Sequence, residues 1–303
     1  MTLNTELSKS MRESIAQYIH TPAYAGDWAL TAGNVPADTR FMSPASFIVW
    51  INDGYYEAVS GVTGQVVYGS VSNKGGASGS DASAVINNCL IEGGKTFIMD
   101  GHYDLTAGLN SGDTYATYLE GESKYGVVLH QNSTTAKIIH PRGKAKVSNL
   151  YLLGAGWTQS NKAIYIDGDE TNACTSGVFE DIEGYDCAVG AAMEDNSWNN
   201  NFSRVYFSKV KKGFTASLNS LGGTWNGENF YCEDCWVSYD GVNYPDYGFE
   251  IDKANAVVIT SNCQVLNPVY DGVWIKGFGA GVSYIYDSMF DVCGRYALHV
   301  ENS

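Results

Sequence analysis

The sequence predicts an all-β protein whose strands stack as a parallel β-solenoid. Three observations predict it: a strand pattern that recurs along the chain, a composition suited to short strands, and a helix that precedes the first repeat. The chain of 303 residues contains 34 glycines and 21 tyrosines but only 6 prolines. This mixture favours many short strands with tight corners over a helical bundle.

The N-terminal segment, residues 1–72, is predicted to form a module of its own. Apolar residues recur at every fourth position from Leu3 to Ile19, which is typical of an amphipathic helix over residues 4–19. Such a helix packs on the body of its own subunit, pairs with copies of itself, or docks onto a larger assembly. These alternatives stay open at this stage.

A β-hairpin is predicted after an irregular linker. The apolar run 47–51 and the run 55–59 flank Asn52-Asp53-Gly54, and an Asp-Gly pair favours the primed turns that hairpins need. Residues 65–68 predict a third strand. A glycine- and serine-rich joint then places a domain boundary between residue 72 and residue 80.

The segment 80–109 predicts a capping helix followed by two short strands. Asp81 stands at an N-cap position, and Gly93 and Gly94 end the apolar stripe that contains Val85 and Leu90. The order of helix, Gly-Gly, strand, turn and Tyr-x-Leu resembles the start of pectate-lyase-like right-handed β-helix proteins, which include phage tailspikes. The resemblance implies a right-handed parallel β-helix over residues 80–303, with the helix closing its N-terminal end.

A repeat of 23 to 32 residues supports this expectation. Segments such as SNLYLLG, EDIEGYD and EDCWVSY align on one another, and each places one apolar residue at its centre. Repeats of this length with strand patterns indicate a solenoid in which each turn buries its face against its neighbours. The central, inward-facing residues are expected to be Leu150, Ile182, Val205, Cys235, Cys263 and Met289.

The neighbours of these central residues are expected to point outward, because side chains alternate along a strand. The residues before them are Asn149, Asp181, Arg204, Asp234, Asn262 and Ser288. The residues after them are Tyr151, Glu183, Tyr206, Trp236, Gln264 and Phe290. Aromatic rings beside hydrogen-bonding groups are suited to sugars. The sequence therefore predicts a carbohydrate-binding face with Tyr151, Arg204, Tyr206, Trp236 and Gln264, although burial under a loop or a subunit explains an aromatic column equally well.

Catalysis is a weaker prediction, and whether the protein is an enzyme stays open. The candidate catalytic residues are Asp181, Glu183 and Asp234. Asp181 and Asp234 would lie two turns apart, at roughly 9.6 Å, near the upper limit for an inverting glycosidase. Arg204 would lie between them and keep both ionised, which does not suit a general acid. The motifs of polygalacturonases and pectate lyases are absent from the sequence.

No cofactor or metal is predicted with named ligands, but two stretches raise the question. Asp167-Gly-Asp-Glu170 offers hard oxygen ligands for calcium, and a polar corner loop explains it as well. Cys232 and Cys235 form one CxxC, without a second pair at zinc spacing. The seven cysteines are expected to be buried free thiols.

Charge and hydropathy limit the partners. The formal net charge of −15 argues against nucleic acid and anionic membranes as partners. It also disfavours acidic polymers unless a cation bridges them to the protein, so neutral or amino sugars are easier partners. No apolar run is long enough to span a membrane, and the first twenty residues do not resemble a signal peptide. A virion or extracellular surface location is therefore expected.

The leading hypothesis is a tailspike-like recognition protein that binds a surface polysaccharide as a homotrimer. A first alternative is a polysaccharide lyase or glycoside hydrolase on the same fold. A second is a structural surface-layer or sheath subunit without a ligand. Fold alone does not choose among them.

Overall fold

The computed structural model describes residues 45–111, 117–168, 174–217, 228–252, 258–276 and 284–301. Within these ranges the strands form one sheet that winds about seven turns around a continuous apolar core. The chain is a right-handed parallel β-helix, as the repeat and the resemblance predict. The helix predicted over residues 4–19 lies outside the described residues.

A three-stranded antiparallel unit precedes the solenoid. Its strands are β1 (Phe47–Asn52), β2 (Tyr55–Ser60) and β3 (Val66–Gly69). The turn between β1 and β2 contains Asp53 and Gly54 at φ 49° and 79°, which is the left-handed conformation that a primed turn requires. The predicted hairpin and third strand are confirmed. Because β1 also pairs in parallel with the first solenoid strand, the hairpin continues the sheet; the two-domain division stays a prediction.

Helix α1 (Ala82–Glu92) covers the N-terminal end of the solenoid core. The Asp81 carboxylate accepts a hydrogen bond of 2.9 Å from the backbone N–H of Ser83, and an N-cap of this kind is worth about 1 kcal/mol. Gly93 ends the helix at φ 88°. Val85, Ile86 and Leu90 are buried, so the predicted capping helix and its apolar side are confirmed.

Three faces run along the solenoid, and each turn contributes strand segments to them. The first face contains β4 (Lys95–Ile98), β6 (Thr117–Gly121), the starts of β9 (Ala145–Leu153), β12 (Val178–Glu194) and β13 (Ser197–Ser217), then β14 (Glu228–Glu233), β17 (Val258–Ser261) and β20 (Tyr284–Tyr286). The short β11 (Cys174–Thr175) pairs with the beginning of β13 at the corner that leads into this face.

The second and third faces follow after one corner each. The second contains β5 (Gly101–Leu105), β7 (Val127–Gln131), the end of β9, the middle parts of β12 and β13, β15 (Trp236–Ser238), β18 (Gln264–Leu266) and β21 (Met289–Asp291). The third contains β8 (Lys137–Ile139), β10 (Lys162–Asp167), the ends of β12 and β13, β16 (Tyr247–Asp252), β19 (Asp271–Lys276) and β22 (Tyr296–Glu301).

Side chains of equivalent position stack inside the solenoid. Phe179 lies on Phe202 with 4.9 Å between ring centroids, and Phe214 lies on Phe249 at 5.0 Å. Five of the six predicted inward residues, Leu150 to Cys263, are fully buried. Burying a leucine or phenylalanine side chain contributes about 1.5–3 kcal/mol, so these ladders hold the turns together.

The prediction for the last turn is wrong by one residue. Met289 is 47% exposed, because it pairs with Gln264 and thus lies in the outward column. Phe290 pairs with Val265 and packs against the core. A slip of one position reverses the side of every side chain in a strand.

The residues before the inward column occupy corners between the first and second faces. All have positive φ, from 48° to 58°: Asn149, Asp181, Arg204, Asp234, Asn262 and Asp287. The sequence interpretation treats the first five as pleated strand residues and names Ser288 in place of Asp287, whereas the chain turns at each of the six. Asn and Asp tolerate this left-handed conformation better than other non-glycine residues, which explains their recurrence.

Candidate functional site

The outward column of the second face brings together four of the five predicted carbohydrate-binding residues, and the fifth, Arg204, lies at the corner beside it. In register order it contains Tyr151, Glu183, Tyr206, Trp236, Gln264 and Met289. Neighbouring members lie on adjacent parallel strands, about 4.8 Å apart. We refer to Tyr151, Glu183, Tyr206, Trp236 and Gln264 as the aromatic column.

Two rings of this column contact each other, and its three rings are at least partly open to solvent. The Tyr206 and Trp236 centroids are 5.4 Å apart, and their planes are tilted by 42°. Trp236 is 41% exposed. Tyr125, from the segment between β6 and β7, lies 6.4 Å from Tyr151 and widens the aromatic surface. Partly exposed rings on neighbouring strands form a surface on which a sugar chain can stack.

Lys124 lies across the column and is a residue that the sequence analysis missed. Its Nζ is 3.9 Å from the Tyr206 ring centroid and 3.8 Å from Glu183 Oε2. Burial lowers the pKa of Lys124 below its usual value, although the carboxylates of Glu183 and Asp181 oppose this shift. Lys124 comes from a turn between two strands, so the strand repeat carried no signal for it.

Glu183 is held by two neighbours within the column. Tyr125 donates a hydrogen bond of 3.1 Å from its hydroxyl to Glu183 Oε2, the same oxygen that faces Lys124. The Glu183 side chain is mostly covered. A carboxylate between a hydroxyl and an ammonium group is fixed in orientation, which suits recognition of a hydroxyl group.

The corner beside the column carries an ion pair. Arg204 donates from Nε and Nη2 to the two carboxylate oxygens of Asp181, at 2.7 and 2.9 Å. These hydrogen bonds lower the pKa of Asp181, against the effect of burial. On the other side of Arg204 in the register, Asp234 accepts a hydrogen bond from the amide of Asn262. Asp181 is thus held as a carboxylate and is a poor proton donor.

A groove of about 630 Å³ runs along the first face on the other side of this corner. The residues that line it include Arg204, Glu180, Glu233, Tyr231 and Tyr286. Glu180 and Glu233 are separated in the register by Ser203, which places them two strands apart. The sequence analysis did not single out these two glutamates, because it followed only the immediate neighbours of the inward column.

The predicted calcium stretch is only partly described. Asp167 lies 2.6 Å from His140 Nε2 and 3.3 Å from Arg142, and these contacts lower the pKa of Asp167 although burial raises it. Asp169 and Glu170 lie outside the described residues, so the calcium site stays a prediction. Cys232 and Cys235 are buried and free, like four of the other five cysteines.

A cluster with metal-ligating side chains lies at the N-terminal end of the second face. The cluster consists of His102, Asp104 and His130, whose ligand atoms all lie within 4.8 Å of one another. The described residues contain no other group of three or more such side chains at this spacing. His102 and Asp104 belong to β5 and His130 belongs to β7. In the register, His102 aligns with Val128, which in turn aligns with Tyr151, so the cluster continues the line of the aromatic column.

No helix in the described part of the chain is long and apolar enough to cross a membrane. A comparison with protein-family models found no match, and a comparison with curated proteins found none either.

Solved structures share the solenoid at low sequence identity. The ORF18 protein of Geobacillus virus E2 matches with 12% identity and a TM-score of 0.40 over 73% of this chain and 58% of its own. The A-module of the mannuronan C-5 epimerase AlgE4 from Azotobacter vinelandii matches at 12% and 0.31, over 74% of this chain and 96% of its own. The catalytic domain of a GH87 α-1,3-glucanase matches at 12% and 0.27, over 70% and 64%.

The chain thus spans less than two thirds of the length of the viral protein and of the glucanase domain. Likenesses of this degree concern the path of the backbone and carry no argument about activity. A functional proposal therefore rests on the geometry of the second face.

Proposed function

We propose that this protein binds a surface polysaccharide along the aromatic column of the second face. The observation that carries the proposal is the unbroken register of Tyr151, Glu183, Tyr206, Trp236 and Gln264. The column is roughly 19 Å long, at about 4.8 Å per strand, which is enough for several sugar units.

The chemistry of the column and its rim fits a neutral or amino sugar. Tyr206 and Trp236 offer ring faces for the apolar side of a pyranose, and Gln264 offers an amide for hydroxyl groups. The rim carries the Asp181–Arg204 pair, whose remaining lone pairs and donors can meet further hydroxyl groups. Because the formal net charge is −15, a strongly acidic polymer would be repelled.

The proposal is tested by removing the central ring. Trp236→Ala is expected to weaken binding of a polysaccharide found by glycan-array screening by at least about tenfold, which is about 1.4 kcal/mol. The matched control is Tyr55→Ala, which removes a similarly exposed ring from the hairpin. Isothermal titration calorimetry gives both affinities. Equal affinity of the two variants would show that the column is not the binding surface.

More specifically, we propose that the protein is a tailspike-like recognition subunit that acts as a homotrimer on a virion or cell surface. What supports it is the apolar stripe in the sequence of residues 3–19, which is typical of an amphipathic helix and is compatible with pairing between copies of the chain. Light scattering on the full chain and on a variant with Leu7→Glu and Ile15→Glu tests it. A trimer that dissociates in the variant is expected, and a wild-type monomer would refute it.

A second candidate function, cleavage of the polysaccharide by β-elimination, is favoured by Lys124. Its Nζ lies 3.9 Å from the Tyr206 ring centroid, within the proposed binding surface, and burial lowers its pKa, which is the direction that a general base needs. In that step the amine takes the proton next to the uronate carboxylate, a carbon–carbon double bond forms, and the glycosidic oxygen leaves. A uronate substrate would have to overcome the negative charge of the protein.

The two candidates differ in a product assay. Elimination creates an unsaturated sugar that absorbs ultraviolet light, and Lys124→Met would abolish its formation. Lys146→Met is the control, because Lys146 is exposed on the first face. Binding without new ultraviolet absorbance or new reducing ends leaves recognition as the function.

A further inference from the structure

We propose that His102, Asp104 and His130 form a binding site for a divalent transition-metal ion of the zinc class. The three side chains lie on the outer side of β5 and β7, at the N-terminal end of the second face. Asp104 pairs directly with His130 across the two strands, and His102 lies two residues before Asp104, on the same side of its strand. The parallel pairing therefore brings residues 28 positions apart in sequence into one cluster.

The distances between the ligand atoms fit such an ion. His102 Nε2 is 3.3 Å from His130 Nδ1 and 3.4 Å from Asp104 Oδ1, and His130 Nδ1 is 2.8 Å from Asp104 Oδ1. Atoms that lie about 2.0–2.1 Å from a tetrahedral zinc ion are about 3.3–3.4 Å from one another. Only the separation of His130 and Asp104 must lengthen, by a few tenths of an ångström.

The donor set selects the class of metal. Two imidazole nitrogens and one carboxylate oxygen suit zinc, cobalt, nickel or copper, whereas calcium and magnesium prefer oxygen ligands alone. Asn132 donates a hydrogen bond of 3.3 Å to Asp104 Oδ1, so the carboxylate already has a neighbour that orients it.

The exposure of the cluster leaves coordination positions free for other ligands. The His102 and Asp104 side chains are about half exposed. With three protein ligands, a tetrahedral ion keeps one position for water or for an oxygen of another molecule. That position would face the same solvent as the aromatic column, but metal binding is inferred from this cluster alone and does not rest on the polysaccharide proposal.

Titration of the full chain with Co²⁺ tests the site. The protein should be purified without a histidine tag and treated with a chelator, because a tag would compete for the metal. We expect one equivalent of Co²⁺ to bind and to give the visible d–d bands of a site with nitrogen and oxygen ligands. Zn²⁺ should then displace it. Intense near-ultraviolet bands would instead indicate binding to a cysteine thiolate and would overturn the assignment.

Two variants make the result specific. His102→Ala should weaken Co²⁺ binding at least tenfold, and so should His130→Ala. His299→Gln is the matched control, because His299 also contacts an aspartate, Asp271, but has no second histidine within ligand distance among the described residues. Circular dichroism spectra of each variant check that the fold persists.

Three outcomes refute the proposal. They are the absence of stoichiometric binding by the wild type, unchanged affinity in both histidine variants, and an equal loss in the His299→Gln control. In each case the cluster is a hydrogen-bonded group only, in which His130 and Asp104 pair with each other. Conversely, a loss in the two cluster variants with a normal control assigns the ion to this site.

Discussion

The second and third faces of the solenoid are built from the same pleated strands, yet only one of them is open. The outward column of the third face contains Tyr165, Ala192, Thr215, Glu250, Trp274 and His299. Its first four members are buried, whereas Trp236 in the aromatic column is 41% exposed. The alternation of side chains thus decides the direction in which a residue points, and the surrounding side chains decide whether it meets solvent.

Charge pairing distinguishes the two faces further. On the third face, Glu250 is 8% exposed and lies between Lys212 and Lys276, and the fully buried carboxylate of Asp271 lies between Arg295 and His299. At the corner beside the second face, the Asp181–Arg204 pair is more than a third exposed on both sides. The third face uses its charges to hold the sheet, whereas this corner leaves its charges available to a ligand.

The largest difference is expected on removing one carboxylate from the third face and one from the corner beside the second face. Glu250→Ala leaves two ammonium groups facing each other and should destabilise the protein by about 3 kcal/mol. Asp181→Asn, which removes the charge from the exposed pair beside the second face, should cost less than about 1 kcal/mol, because Arg204 stays in solvent. Urea unfolding followed by circular dichroism measures both. Equal shifts of the midpoint would remove the distinction between the third face and this corner.

An intermediate effect is expected from acid. Burial raises the pKa of Glu250, but the hydrogen bonds and charges of Lys212 and Lys276 outweigh it, so its pKa in the folded state lies below the ordinary value. The stabilisation is therefore complete above the unfolded pKa of about 4.3 and is lost as the pH falls through the folded pKa.

Urea midpoints at pH 7, pH 4.5 and pH 3 test this assignment. The wild type should lose more stability than Glu250→Gln between pH 4.5 and pH 3, because the variant has no carboxylate to protonate at this position. Parallel pH profiles of the two proteins would show that Glu250 does not contribute.

The smallest effect is expected at the open corner. Arg204→Gln breaks the bidentate pair with Asp181, but both side chains are well exposed, so stability should change by less than about 1 kcal/mol. The pKa of Asp181 should rise toward its ordinary value, since Arg204 is the main cause of its depression. Carboxyl-detected NMR titration measures that rise. An unchanged pKa would mean that the pair is absent in solution.

Much of this architecture could be predicted from the sequence, because the repeat gives both the strands and their direction. The aromatic column follows from counting one residue past each central apolar residue, and five of its members were placed in register in this way. The count fails at the last turn, where Met289 and Phe290 exchange sides. Both residues are large and apolar, so hydrophobicity alone does not distinguish the inward one.

The rest could not be predicted because it depends on residues outside the repeat. Lys124 and Tyr125 belong to a turn, and only the folded chain shows that this turn lies over Glu183 and Tyr206. The metal-ligating cluster did carry a signal, since Tyr103 and Leu129 occupy equivalent inward positions in β5 and β7. Aligning those two strands would have placed Asp104 beside His130.

The pairing of β12 with β13 shows how many residues form one turn of the solenoid. Between Val178 and Glu194 every residue that pairs with β13 does so with the one 23 positions later, without a loop to interrupt the register. Residues 182–204 are therefore a self-contained unit that begins and ends at the same point of the cross-section. Inserting a second copy of this unit after Arg204 would lengthen the second face by one strand spacing. The number of copies of this unit would therefore set the length of the face along which a polysaccharide is proposed to bind.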